Sequence, residues 1–148
     1  DIAMEALKSC PKVELTLIRV ADERLGGTES VTTPEKIDLI YSSRTRSLID
    51  AVYDWSRFNS LPRGYNWIRQ ELKNDIKIAS KLIDTAVQYG NQASLRRIGY
   101  LLDSLLKDSV IVNQLERKLS NSKALIPLIP TRPSRGTANR TWGVIVNE

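Results

Sequence analysis

Apolar and polar positions alternate near the start of the chain, repeat with a helical period through its middle and alternate again near its end. Residues 1–12 form a short mixed stretch that closes at Cys10-Pro11, where proline disfavours a continuing helix. Val13, Leu15 and Leu17 then alternate with Glu14, Thr16 and Ile18, which predicts a strand over Val13–Val20 with one buried face. Residues 21–35 carry Gly26-Gly27, Thr28, Ser30, Thr32, Thr33 and Pro34, and read as turn. Ile37–Tyr41 is a second predicted strand, paired with the first across that connection, and Ser42 or Ser43 can cap a helix behind it.

From Arg44 the period becomes helical. Leu48, Ile49, Val52 and Trp55 share one face, while Arg46, Asp50 and Asp54 succeed one another at four-residue steps on another. Asn59-Ser60-Leu61-Pro62 separates this helix from a shorter one whose inner face is Tyr65, Ile68 and Leu72. Asn74 or Asp75 caps a third helix, with Ala79, Leu82, Ile83 and Ala86 inward, a solvated stripe of Lys77, Lys81, Asp84 and Gln88, and Gly90 as a left-handed terminator. The fourth, Gln92–Leu106, sets Leu95, Ile98, Leu102 and Leu105 at helical spacing, with Leu101 and Leu106 widening the face, so it is the expected central core helix. A fifth starts at Asp108 or Ser109 and buries Ile111 or Val112, Leu115 and Leu119, with Arg117-Lys118 at its dipole-favoured end. Ala124–Ile129 and Thr141–Val146 are the last predicted strands, joined by a Pro/Gly-containing turn rich in arginine.

Strands at both ends with helices between them predict an α+β class: a single domain with a small mixed or antiparallel sheet built from N- and C-terminal strands and packed against about five helices. A chain of 148 residues is long enough to bury about 70% of its unfolded surface, so the core needs no disulfide or metal staple. Residues 1–12 are read as the residual linker or tail of an upstream segment and 13–148 as the domain. The chain opens at Asp1 and is expected to be a piece of a longer protein. It has no apolar run of ~18 residues and no charged-then-apolar leader, which leads to the expectation of a cytoplasmic protein without membrane contact.

Composition narrows the chemistry. There is no histidine and one cysteine, which removes imidazole-dependent serine or cysteine catalysis, His-ligated zinc and an internal disulfide. Asp50 and Asp54 lie beside Arg46 and Arg57 at spacings that read as exposed ion pairs. Gly26-Gly27 lacks both the dinucleotide and the Walker contexts. The expectation is therefore no enzyme: no catalytic residue, no metal and no cofactor.

Twenty-two basic against 17 acidic residues leave a net +5, which favours acidic partners. The basic residues gather in two places. Arg132, Arg135 and Arg140 sit in the C-terminal turn, where guanidiniums can reach phosphate oxygens. Arg96-Arg97 lie ~100° apart on a helix, so one is expected to be solvated: Arg96 on the side of Tyr100 and Asp103, with Arg97 flanking the Leu101 edge as a structural clamp or a ligand contact. Gly99 in mid-helix is expected to admit a close neighbour. Trp142, Trp55 and Trp67 are expected to fill core or cover the sheet rather than to stack on a base.

Three segments taken together resemble a known family. Thr45-Arg46-Ser47-Leu48-Ile49-Asp50 resembles E-R-T-L-[IV]-D; Ser94-Leu95-Arg96-Arg97-Ile98-Gly99-Tyr100-Leu101-Leu102-Asp103 resembles x-x-x-R-L-G-Y-L-L-E; and Trp142-Gly143-Val144-Ile145-Val146-Asn147 resembles W-x-[VLI]-x-x-N. The chain is similar, over roughly Val13 to Asn147, to the C-terminal domain of the AbiEi-type antitoxins of type IV toxin–antitoxin systems, which are bacterial phage-defence modules. Thr45, Ser47 and Asp103 depart from the family's Glu, Thr and Glu. The resemblance implies a winged helix-turn-helix ahead of this domain, absent from this chain, through which such proteins mainly bind DNA and repress their own operon. It also implies a cognate nucleotidyltransferase-like toxin neutralised, directly or indirectly, by the present domain. Arg46, Asp50, Arg96, Arg97 and Tyr100 become partner-facing candidates, with Arg46, Asp50 and Arg97 alternatively joining helices to the sheet. The expected function is a non-enzymatic antitoxin or regulator; the alternative is an accessory DNA-binding domain of a transcriptional repressor, resting on Arg132, Arg135 and Arg140.

Overall fold

The computed structural model describes residues 19–106, 110–120 and 124–148. The predicted strand Val13–Val20 lies outside the described residues except for Arg19 and Val20, which carry no regular structure. The expected helix start at Asp108 or Ser109 also lies outside them.

A 3-10 turn at Asp22–Arg24 leads into β1 (Thr28–Thr32), which pairs antiparallel with β2 (Asp38–Ser42). β1 thus forms inside the segment expected to be turn, and β2 pairs with it rather than with Val13–Val20. Thr28, Val31 and Thr32 supply β-branched side chains, which suit a pleated surface. The loop between the strands is a tight turn around Pro34-Glu35, closed by Lys36 N–H to Thr33 O and Thr33 N–H to Ile37 O, both 2.9 Å. Lys36 takes the left-handed conformation (φ 62°) that a three-residue hairpin loop requires after its turn. Both strands are exposed along their length.

Among the described residues, six helices come next: α1 (Arg44–Tyr53), α2 (Trp55–Phe58), α3 (Arg63–Asn74), α4 (Ile78–Tyr89), α5 (Gln92–Leu106) and α6 (Val110–Glu116). Ser43 caps α1, its hydroxyl accepting from Arg46 N–H. The predicted inner faces are buried: Leu48, Ile49 and Val52 of α1, Tyr65, Ile68 and Leu72 of α3, Ala79, Leu82, Ile83 and Ala86 of α4, and Leu95, Ile98, Leu101 and Leu102 of α5. α5 is central, touching α1, α4, α6 and the last strand of the chain. Leu105, expected inward, is 42% exposed, while Leu106 beside it packs against the core in its place. Gly90 ends α4 with φ −83°, not left-handed. Its glycine is required by crowding instead, since a Cβ there would lie 2.4 Å from Ala86 O.

The C-terminal strands are β3 (Ile126–Pro127), β4 (Thr137–Asn139) and β5 (Val144–Val146). β5 is the middle strand, parallel to β3 and antiparallel to β4. The molecule is an α+β single domain with strands from both ends of the chain. Those strands sort into two small sheets rather than one: the N-terminal ribbon, and a mixed three-stranded sheet that takes one strand from the arginine-bearing connection. No described helix is long and apolar enough to cross a membrane.

Candidate functional site

The first motif segment is a joint. Asp50 receives two guanidiniums: Arg46 Nε at 2.8 Å, one helical turn away, and Arg24 Nη2 at 2.6 Å from the turn ahead of β1. Arg46 Nη1 also donates to Gly26 O and Arg24 Nη1 to Tyr89 O. Arg24 lies over the Tyr53 ring and Arg46 over the Tyr89 ring, at 3.4 and 4.4 Å from the centroids. The expected exposed ion pair is thus corrected: the Arg46 side chain is only 7% exposed, because the Gly26-Gly27 approach and Tyr89 close over it. The other pair of that helix face, Asp54 with Arg57 at 3.6 Å, is the exposed type. Thr45, standing where the family has Glu, is buried, and its hydroxyl oxygen accepts from Thr85 Oγ1.

The second segment is also a joint. Arg96 and Arg97 are both buried, against the expectation that one is solvated. Arg96 Nη1 donates to Ala124 O at 2.7 Å and Arg97 Nε to Pro127 O at 3.2 Å, so each guanidinium satisfies a carbonyl on the chain flanking or forming β3. One helix edge serves both because the incoming strand segment spans the 100° between them. Burial pushes the Arg97 guanidinium below its ordinary value, with the neighbouring Tyr65 acting in the opposite sense. Tyr65 donates its hydroxyl to Leu128 O at 2.6 Å, and burial pushes that phenol well above the usual range. Tyr100 is half-buried and its phenol is raised for the same first reason.

Gly99 does admit a close neighbour: a Cβ there would lie 1.9 Å from the Trp142 ring. Trp142 is fully buried, in the turn before β5 rather than in a strand, and its indole N–H donates to Asp103 Oδ2 at 2.9 Å. Asn147 closes the third segment, accepting from Ile129 N–H and donating to the carbonyls of Ile129 and Pro133. Of the partner-facing candidates, Arg46, Arg96 and Arg97 therefore face inward and act as joints, Asp50 is engaged twice over, and Tyr100 keeps a partly open ring.

Arg132, Arg135 and Arg140 are all exposed. Among the described residues none of the three has a carboxylate within ion-pair distance. Asn147 holds the loop of Arg132 and Arg135 from beneath through the carbonyls of Arg132 and Pro133, while Arg140 lies in the next turn, beyond β4.

Two surfaces were not anticipated from the sequence. In the ribbon, the register puts Glu29 opposite Tyr41 and Val31 opposite Leu39, which gathers Val31, Leu39 and Tyr41 on one face, each about half exposed. The second is an aromatic groove. Trp67, expected to fill core or cover the sheet, is 47% exposed: Tyr65, Ile68 and Leu72 define the buried face of α3, and position 67 turns away from it. A cavity of about 710 Å³ lies on one side of Trp67, between Tyr41, Arg44, Leu48 and Gln70. A second, of about 360 Å³, lies on the other side between Phe58, Ser60 and Arg63. The two adjoin, sharing Ser42, Ser47 and Trp67. Among the described residues, Tyr41, Phe58 and Trp67 are the exposed aromatics, and all three converge here. Among the described residues there is also no cluster of three or more acidic or cysteine side chains able to hold a metal ion. The chain matches no family model, no curated protein and no solved structure.

Proposed function

We propose that this chain is a non-enzymatic antitoxin or regulator domain that neutralises a cognate nucleotidyltransferase-type toxin in a bacterial type IV toxin–antitoxin phage-defence system, by contact through its N-terminal ribbon. The reading is supported first by the three-part resemblance, whose residues meet at the joints of a single fold. The observation that carries the contact is the half-exposed apolar face of Val31, Leu39 and Tyr41 on a ribbon that projects from the helices. The carboxylates of the motif segments are occupied by structural partners, Asp50 by two arginines and Asp103 by Trp142, which fits binding better than acid–base chemistry. A cytoplasmic setting goes with this reading.

Co-expression with the toxin encoded beside it tests the proposal. The chain restores growth, and Val31→Lys with Leu39→Lys abolishes the rescue while leaving the melting temperature unchanged. Failure of the unaltered chain, where a longer form carrying it succeeds, places antitoxicity elsewhere.

A second reading, an accessory DNA-binding domain, is favoured by the three exposed arginines, Arg132 and Arg135 ahead of β4 and Arg140 behind it. Its affinity falls steeply with salt as phosphates release counterions. Arg132→Ala, Arg135→Ala and Arg140→Ala together flatten that slope; an unchanged affinity and slope reject this reading.

A further inference from the structure

We infer that the groove between β2 and α3 binds single-stranded RNA, with bases stacked on Trp67, Tyr41 and Phe58 and phosphates held by Arg63 and Lys73. The groove shares Tyr41 with the proposed toxin-contact face, but the inference does not rest on the toxin-binding proposal. It starts from the outward stripe of α3. Arg63, Asn66, Trp67, Gln70, Lys73 and Asn74 are all exposed, and that stripe carries cations, amides and one indole without a carboxylate. The acids near the groove are already matched: Glu71 by Arg44 at 3.1 Å, Glu29 by Lys81 at 3.8 Å and Asp50 by its two arginines. Among the described residues Arg63 and Lys73 have no carboxylate within ion-pair distance. The surface is thus complementary to a polyanion.

The aromatics decide which polyanion. The half-exposed Trp67 indole lines both cavities, and a second aromatic lines each of them, Tyr41 in one and Phe58 in the other. Base–aromatic stacking needs unstacked bases, which a single strand supplies and a duplex does not. A docked protein helix would instead demand apolar anchors at helical spacing, and α3 presents only Trp67 on its outward face. Asn66, Gln70 and Asn74 run along the stripe one turn apart, each with a donor and an acceptor in one group, which suits a ribose 2′-hydroxyl that is both. The stripe from Arg63 to Asn74 is about 16 Å long, room for a few nucleotides of an unstacked strand.

The test is titration of the whole chain with an unstructured single-stranded RNA of about 12 nucleotides, read by tryptophan emission and by anisotropy of a labelled strand. Saturable quenching is expected, because Trp67 is the exposed indole. Trp67→Ala weakens binding by about tenfold or more, Trp67→Phe retains most of it, and Arg63→Ala with Lys73→Ala lowers both affinity and its salt dependence. Substituting Arg132, Arg135 and Arg140 leaves it unchanged. A melting curve like that of the unaltered chain shows that Trp67→Ala still folds, as expected for a half-exposed side chain. Absence of saturable binding at low salt, or equal binding by Trp67→Ala, overturns the proposal. A duplex of the same sequence bound equally well overturns the stacking mode, and single-stranded DNA bound equally well overturns the assignment to RNA. Loss of toxin rescue by Trp67→Ala, with no RNA bound by the unaltered chain, gives the groove to a protein partner instead.

Discussion

The two sheets are attached to the helices by the same device and end in opposite conditions. At each attachment, arginines on a helix reach across to backbone carbonyls: Arg46 to Gly26, Arg96 to Ala124 and Arg97 to Pro127. The C-terminal sheet packs on the core through Val144, and the chain flanking it buries Leu128, Ile129 and Trp142, while β4 at its edge stays mostly exposed. The N-terminal ribbon gains no such cover, and every residue of both strands is exposed. Guanidinium-to-carbonyl bonds therefore fix where a strand begins, while apolar burial decides whether it belongs to the cooperative unit. An isolated two-stranded ribbon is marginal in water, so the ribbon's order depends on its base. The proposed toxin-contact face and the aromatic groove both lie on that less covered side.

Removing the packing from the covered side gives the largest effect. Trp142→Ala opens a cavity against Gly99 and frees Asp103 of its indole partner, and the expected loss is about 3–5 kcal/mol by chemical denaturation. Protection from amide exchange drops in α5 and β5 together. Persistence of native protection in α5 would show that Trp142 is not part of the central packing.

Cutting the anchor on the open side costs less and acts locally. Asp50→Ala strands the Arg46 and Arg24 guanidiniums, a loss of about 2–3 kcal/mol after allowing for the partial exposure of Asp50. Exchange should accelerate selectively across the ribbon, with β3 and β5 unaffected. Uniform acceleration throughout would mean that the ribbon belongs to the same cooperative unit as the core.

Much of the covered side was legible in the sequence, and less of the open side. Helical periodicity placed α1, α3, α4 and α5 and their inner faces, because burial on one side leaves a 3.6-residue trace. Gly99 announced a close neighbour, which is Trp142. Ile37–Tyr41 was read as a strand and is β2, but β1 was missed because both faces of the ribbon are exposed, so no alternation of buried and solvated residues marks it, and the glycines just before it and its own threonines carry the signature of a turn. The double burial of Arg96 and Arg97 was missed because the 100° rule describes one helix alone, whereas a strand crossing that helix collects both guanidiniums on nearby carbonyls. Trp67 was visible in principle: it stands among Arg63, Asn66, Gln70 and Lys73 on the face opposite Tyr65, Ile68 and Leu72, and an indole in a polar stripe is a surface aromatic.

A smaller and pH-dependent effect comes from Tyr65, which links α3 to the chain after β3. Tyr65→Phe loses one buried hydrogen bond, about 1–2 kcal/mol at neutral pH. Burial raises the phenol's pKa in the folded state, so its contribution is fully present below the unfolded value of ~10 and declines above it, where the unfolded chain releases a proton that the folded chain retains. Stability should fall by about 1.4 kcal/mol per pH unit for each such phenol above pH ~10. Tyr100, raised in the same direction, adds to the slope. Denaturation series across that range should show a shallower decline for Tyr65→Phe; parallel slopes would mean that Tyr65 ionises as freely in the folded chain as in the unfolded one.

The smallest effect is expected where sequence intuition would place a large one. Leu39 and Val31 are apolar and β-branched or bulky, the kind of side chain whose loss from a core costs several kcal/mol. On the ribbon they face each other across the strand pair at about half exposure, so Leu39→Thr with Val31→Thr removes one cross-strand contact and little burial. A change of under ~0.5 kcal/mol in global stability is expected. The same double variant loses much of the toxin rescue if the ribbon is the contact face, because the apolar area it deletes is idle in the free chain and buried only in the complex. A large loss of stability would instead show that the ribbon is covered in the free protein, and with it the contrast between the two sheets would disappear.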